Sequence, residues 1–100
     1  MVAAKVNEMI AMNRVMIFSK SYCPFCDTAK QVLTKHKAEF FAYELDEEED
    51  GSAIQSQLLN LTGQRTVPNI FINGEHVGGC DDLKGKDKSG ALAAMLAAKE

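Results

Sequence analysis

No apolar run in these 100 residues approaches the roughly 20 residues that a membrane-spanning helix requires, so no membrane partner is expected. Residues 1–13 lack both the long apolar core of a secretory signal and the Arg- and Ser-rich character of a transit peptide, which makes the cytoplasm the expected location. Cysteine is scarce. Three cysteines, odd in number and unevenly spaced, exclude a secreted disulfide framework and fit a reducing compartment. An excess of positive charge is also missing: the net charge of −3 argues against a general nucleic-acid binder and leaves at most a local basic patch near Lys20 and Arg65. Internal repeats, linkers and low-complexity segments are absent, so residues 1–100 read as one domain with a single modest core.

Residues 20–26, Lys-Ser-Tyr-Cys-Pro-Phe-Cys, stand out against that background. They follow the apolar run Val15, Met16, Ile17, Phe18, short enough for a buried strand, and precede a helical spacing in Ala29, Val32, Leu33 and His36. The two cysteines therefore fall at a strand-to-helix junction. Pro24 suits the first turn of a helix, where a missing N–H costs nothing, which puts Cys23 at the N-cap. The free N–H groups there, the positive end of the helix dipole and the Lys20 ammonium all favour thiolate over thiol. Cys26 lies almost one turn deeper on the same face, where apolar neighbours keep a thiol protonated. The pair reads as asymmetric, with Cys23 attacking and Cys26 resolving.

Two blander uses of C-x-x-C fit less well. Half a zinc site needs a second half, but Cys80 stands alone and His36 and His76 lack ligand spacing, so no metal is expected. A structural disulfide closing a two-residue loop restrains little of the unfolded chain.

Val2, Val6, Met9 and Ile10 recur at helical spacing before the first strand, and Phe40, Phe41, Tyr43 and Leu45 form an aromatic-rich run typical of a second strand. With a helix between them, the two strands should run parallel. The acidic residues 46–50 read as a solvated turn leading into the next helix. Ile54, Leu58 and Leu61 give that helix an apolar stripe, and Gly63 offers a C-cap. Asn69, Ile70, Phe71 and Ile72, then Asn73-Gly74, then Glu75, His76 and Val77 spell strand, type I′ turn, strand. Cys80, Asp81, Asp82 and Leu83 resemble a helix start with Asp as N-cap, and Ser89 is a candidate cap for a last short helix carrying Leu92, Met95 and Leu96. The expected fold is α/β, in the order α-β-α-β-α-β-β-α, with helices covering a four-stranded mixed sheet.

Three segments together resemble the dithiol glutaredoxins: residues 20–26, residues 63–68 (Gly-Gln-Arg-Thr-Val-Pro) and residues 78–83 (Gly-Gly-Cys-Asp-Asp-Leu). The resemblance implies a thioredoxin fold and a glutathione-dependent thiol–disulfide oxidoreductase that reduces glutathione mixed disulfides and protein disulfides. Glutathione would be the reducing co-substrate, regenerated by glutathione reductase, and the protein would act as a monomer. It also implies a cis bond between Val67 and Pro68, with the Val67 backbone facing the cysteinyl part of glutathione. Lys20 and Arg65, helped by Gln64, would hold the glycyl carboxylate, with Tyr22 bordering the groove and Thr66 and Cys80 beside it. The helix start at Asp81 and Asp82 would receive the glutamyl end, although both aspartates also make ordinary helix caps.

The chain departs from the family pattern at two places, with Phe25 where Tyr is commoner and Asp81 where Ser or Thr is frequent. A rival within the resemblance is a [2Fe–2S] carrier with Cys23 and glutathione as ligands, which Pro24 disfavours because cluster-binding relatives carry small residues there. Thioredoxin proper is a poorer match, since a Cys-Gly-Pro-Cys centre is absent.

Overall fold

Strand β1 (Val15–Ser19) is buried at all five positions, which is why it reads as a continuous apolar run rather than an alternating one. In the computed structural model, which describes residues 1–98, β1 lies inside a four-stranded sheet of order β2-β1-β3-β4. Strand β2 (Phe41–Glu44) runs parallel to β1, whereas β3 (Asn69–Ile72) is antiparallel to both β1 and β4 (Glu75–Gly78). The β3–β4 hairpin turns at Asn73 (φ 53°) and Gly74 (φ 80°), the positive angles that the Asn-Gly pair predicts.

Because successive strand residues point to opposite faces, β1 feeds two cores. Val15 and Ile17, with Ile70 and Ile72 of β3, pack under α2 (Pro24–Lys35), α4 (Cys80–Ser89) and α5 (Ala91–Ala97) through Ala29, Leu33, Leu83 and Leu92. Met16, Phe18 and Phe71 fill the other face beneath α1 (Val2–Met12) and α3 (Gly51–Thr62), meeting Val6, Ile54 and Leu58. Phe18 and Phe71 meet edge to face, with ring centroids 6.0 Å apart. The result is a three-layer sandwich that leaves the C-terminal end of β1 open at one end of the sheet.

Four local expectations need correction. Leu61 is half exposed, so the core-facing stripe of α3 ends at Leu58. Leu45 starts a 3₁₀ turn over Leu45–Glu47 instead of closing β2. Helix α4 is capped by Gly79 rather than an aspartate, and Asp82 reaches back to it from the first turn. Ser89 ends α4, and the chain turns at Gly90 (φ 86°) into α5, so the order closes on two helices. The Ser89 hydroxyl still accepts the Ala91 N–H at 3.3 Å.

The acidic segment is more engaged than a solvated turn. Asp50 pairs with Lys5 at 2.5 Å and accepts the Tyr43 hydroxyl at 2.7 Å, joining α1, β2 and α3. The Asp50 carboxylate first, then the Tyr43 hydroxyl, hold the Lys5 ammonium above the usual lysine range.

Candidate active site

At the open end of β1 the chain turns through residues 20–22, and the Cys23 N–H closes that turn on the Lys20 carbonyl at 3.1 Å. Cys23 is the N-cap of α2 and Pro24 its first residue, as their order predicts. The Cys23 sulfur accepts the Cys26 backbone N–H at 3.4 Å, and the Cys23 carbonyl accepts that of Asp27 at 3.1 Å. The first-turn N–H of Cys26, which has no intrahelical acceptor, is thereby aimed at the Cys23 sulfur at the positive end of the helix dipole. Cys26 is fully buried, and burial above all pushes its thiol up to about 11. One sulfur is half-buried and accepts a single backbone N–H, and the other is sealed and protonated.

Facing Cys23 is the loop before β3. Gly63 closes α3 in the left-handed region (φ 79°), and the Val67-Pro68 bond is cis. The Val67 carbonyl lies 3.9 Å from the Cys23 sulfur. The loop is held from inside: the Gln64 amide donates to the carbonyls of Thr66 at 3.0 Å and Pro68 at 2.9 Å, while Gln55 donates to that of Arg65 at 2.8 Å. Both N–H bonds of Gln64 are therefore engaged within the protein.

Between this loop and the start of α4 lies a groove of about 490 Å³, within the roughly 300–1,000 Å³ typical of small-molecule clefts. Gln64, Thr66, Val67 and Pro68 form one wall, and Cys80, Asp81 and Asp82 the other. Lys20, Tyr22 and Arg65 lie outside that lining; Tyr22 is exposed, and among the described residues neither cation takes a carboxylate partner. Phe25 and Gly79 complete the groove without having been expected there. The available clue was Phe25 itself, a large apolar residue in the first turn beside Cys23; the structure leaves it 64% exposed.

The first-turn N–H groups of α4 have no intrahelical acceptors and belong to groove-lining residues. Asp82 accepts the Gly79 N–H at 2.9 Å and packs against Gly78, whose φ of 116° excludes most side chains. A Cβ on Gly78 would lie 2.8 Å from the Asp82 carboxyl carbon. Cys80 is buried, and that burial raises its thiol. Neither histidine belongs to the site: His76 binds Asn69 at 2.9 Å and His36 binds Asp87 at 2.6 Å. Among the described residues no three His, Cys, Asp or Glu side chains gather where they could hold a metal ion.

An accessible cysteine capping a helix, a sealed partner three residues on and a cis-proline opposite, on this sheet, define a thiol–disulfide oxidoreductase of thioredoxin fold. Comparison with known proteins narrows the class. A family model described as Glutaredoxin matches residues 15–77. Glutaredoxin-C6 of Oryza sativa subsp. japonica is 51% identical over 96 residues, covering 96% of this chain and 86% of that one. The crystal structure of wheat glutaredoxin superposes with a TM-score of 0.94 at 55% identity, covering 96% of this chain and 91% of that one. A buckwheat glutaredoxin–glutathione complex superposes with a TM-score of 0.93 at 44% identity, covering 95% and 86%. The chain belongs to the glutaredoxin family. It is a glutathione-dependent thiol transferase, with glutathione as co-substrate.

Proposed function

We propose that the protein reduces glutathione mixed disulfides with Cys23 alone and protein disulfides with Cys23 and Cys26 together. The observation that carries this reading is the unequal setting of the two thiols, Cys23 half-buried with its sulfur 3.9 Å from the carbonyl of the groove-lining Val67 and Cys26 fully buried. In the first mode the Cys23 thiolate attacks the glutathionyl sulfur of a substrate, forming a Cys23–glutathione disulfide while the substrate thiolate leaves and takes up a proton. The thiolate of a second glutathione then attacks the bound glutathionyl sulfur, producing oxidised glutathione and returning the Cys23 thiolate. In the second mode Cys23 attacks a protein disulfide, and Cys26 loses its proton and displaces the substrate from Cys23. The resulting Cys23–Cys26 disulfide is reduced by two glutathiones, with glutathione reductase maintaining the pool.

Glutathione would lie along the groove, its cysteinyl part against the Val67 backbone and its glutamyl carboxylate on the first-turn N–H groups of α4. Asp82 would receive the glutamyl ammonium, while Lys20 and Arg65, outside the groove lining, would receive the glycyl carboxylate. Gln64, with both amide hydrogens engaged, would serve by shaping the loop. Tyr22, Thr66 and Cys80 would border the tripeptide. We place the enzyme in the cytoplasm as a monomer acting on glutathionylated and disulfide-bonded proteins.

The test is a substitution pair in an assay coupled to glutathione reductase. Cys23→Ser should abolish activity on a glutathione mixed disulfide and Cys26→Ser should spare it; equal loss from both would contradict the assigned roles. A cluster carrier would purify as a brown dimer under anaerobic conditions with glutathione, whereas a thiol transferase without a cluster would be colourless, the outcome expected of this protein.

A further inference from the structure

The acidic segment contains a carboxylate that neither the fold nor the chemistry above uses. Asp46 accepts the Ser21 backbone N–H at 2.9 Å with Oδ1, and the Ser21 hydroxyl with Oδ2. Ser21 is the middle residue of the turn that delivers Cys23 to the helix start, between Lys20 and Tyr22. Two residues earlier on each strand, Glu44 accepts the Ser19 hydroxyl at 2.8 Å, and Ser19 and Glu44 are register partners in the parallel β1–β2 ladder. Residues 21 and 46 continue the same offset. Glu44 thus reinforces the last register pair of β1 and β2, and Asp46, in the 3₁₀ turn that follows β2, carries the contact one step further and clamps the turn at Ser21.

We propose that Asp46 is the positioning residue of the nucleophile turn, holding Lys20 and Tyr22 where they meet glutathione. The inference rests on the glutathione site proposed above. Cys23 itself is less dependent on the clamp, because contacts within α2 hold it from the other side. Loss of the clamp should therefore weaken capture of the tripeptide more than it slows sulfur exchange. The Asp46 carboxyl is held below the usual range by the Ser21 hydroxyl, then by the Ser21 N–H, with a further contribution from the Lys20 charge. That proximity raises a competing explanation, in which Asp46 acts only by neutralising Lys20.

Steady-state kinetics on a glutathione mixed disulfide, with glutathione varied, separates these cases. Asp46→Ala should raise the apparent KM for glutathione about fivefold and change kcat by less than about twofold, the pattern of lost binding rather than lost chemistry. Asp46→Asn keeps an acceptor for the Ser21 N–H and an amide that can donate to its hydroxyl, so it should restore a KM close to wild type. Ser21→Ala, which removes only the hydroxyl contact, should shift KM in the same direction by about twofold and serves if Asp46→Ala does not fold. The proposal is overturned if Asp46→Ala keeps the wild-type KM, lowers kcat alone, or is matched by Asp46→Asn. An unshifted KM in Ser21→Ala overturns it where Asp46→Ala does not fold. A wild-type protein without glutathione-dependent turnover would instead refute the functional reading itself, and this inference with it.

Discussion

Gly78 joins the sheet to the groove proposed to take glutathione, and replacing it with alanine should damage stability and binding together. Its φ of 116° lies where an L-residue is strained, at a cost of about 1–3 kcal/mol. The added methyl would also press on the Asp82 carboxylate, 2.8 Å from its Cγ, and drive it off the Gly79 N–H. A lost cap contact adds about 1 kcal/mol, for roughly 2–4 kcal/mol in all. In a domain of this size each kcal/mol lowers Tm by about 4–8 °C, so a fall of at least about 8 °C is expected by circular dichroism or calorimetry. Gly85 is the matched control: it lies within α4 with open space around it, so alanine there should raise stability by about 0.5–1 kcal/mol. The apparent KM for glutathione should rise in Gly78→Ala and stay unchanged in Gly85→Ala, because only the first change disturbs the start of α4. A Gly78→Ala protein melting within about 2 °C of wild type would refute the reasoning on both strain and capping.

Two further outcomes follow from the site. Arg65→Ala removes a cation with no carboxylate partner among the described residues and should raise the KM for glutathione about fivefold, as expected for one exposed charge contact of about 1 kcal/mol; an unchanged KM would remove Arg65 from the site. Because Cys26 is pushed up to about 11, its thiolate fraction grows about tenfold per pH unit below that value, and single-turnover closure of the Cys23–Cys26 disulfide should accelerate accordingly from pH 7 to 9. A pH-independent closure rate over that interval would contradict the sealed, protonated state assigned to Cys26.

Features specified by neighbouring residues were readable in the chain before the structure. The run of β1, the Cys23 cap followed by Pro24 and the Asn73-Gly74 turn each follow from local geometry, and all are found where expected. Features that depend on distant partners were not readable. Asp46 and Asp50 looked like solvated charge, but they engage Ser21, 25 positions away, and Lys5, 45 positions away. Gln64 lines the groove as its motif suggested, while its bonds to the carbonyls of Thr66 and Pro68 could not be read from the chain. Leu61 carried helical spacing but lies half exposed beyond the buried part of α3. The aspartates of α4 promised an N-cap, whereas Gly79 takes that position and Asp82 supplies the returning contact.

The most direct test of the central claim is to treat the Cys26→Ser protein with oxidised glutathione at neutral pH and locate the adduct by peptide mass spectrometry. A single glutathionyl group on Cys23, released on adding reduced glutathione, is the predicted result. An unmodified Cys23, with glutathione carried only by Cys80, would contradict the account.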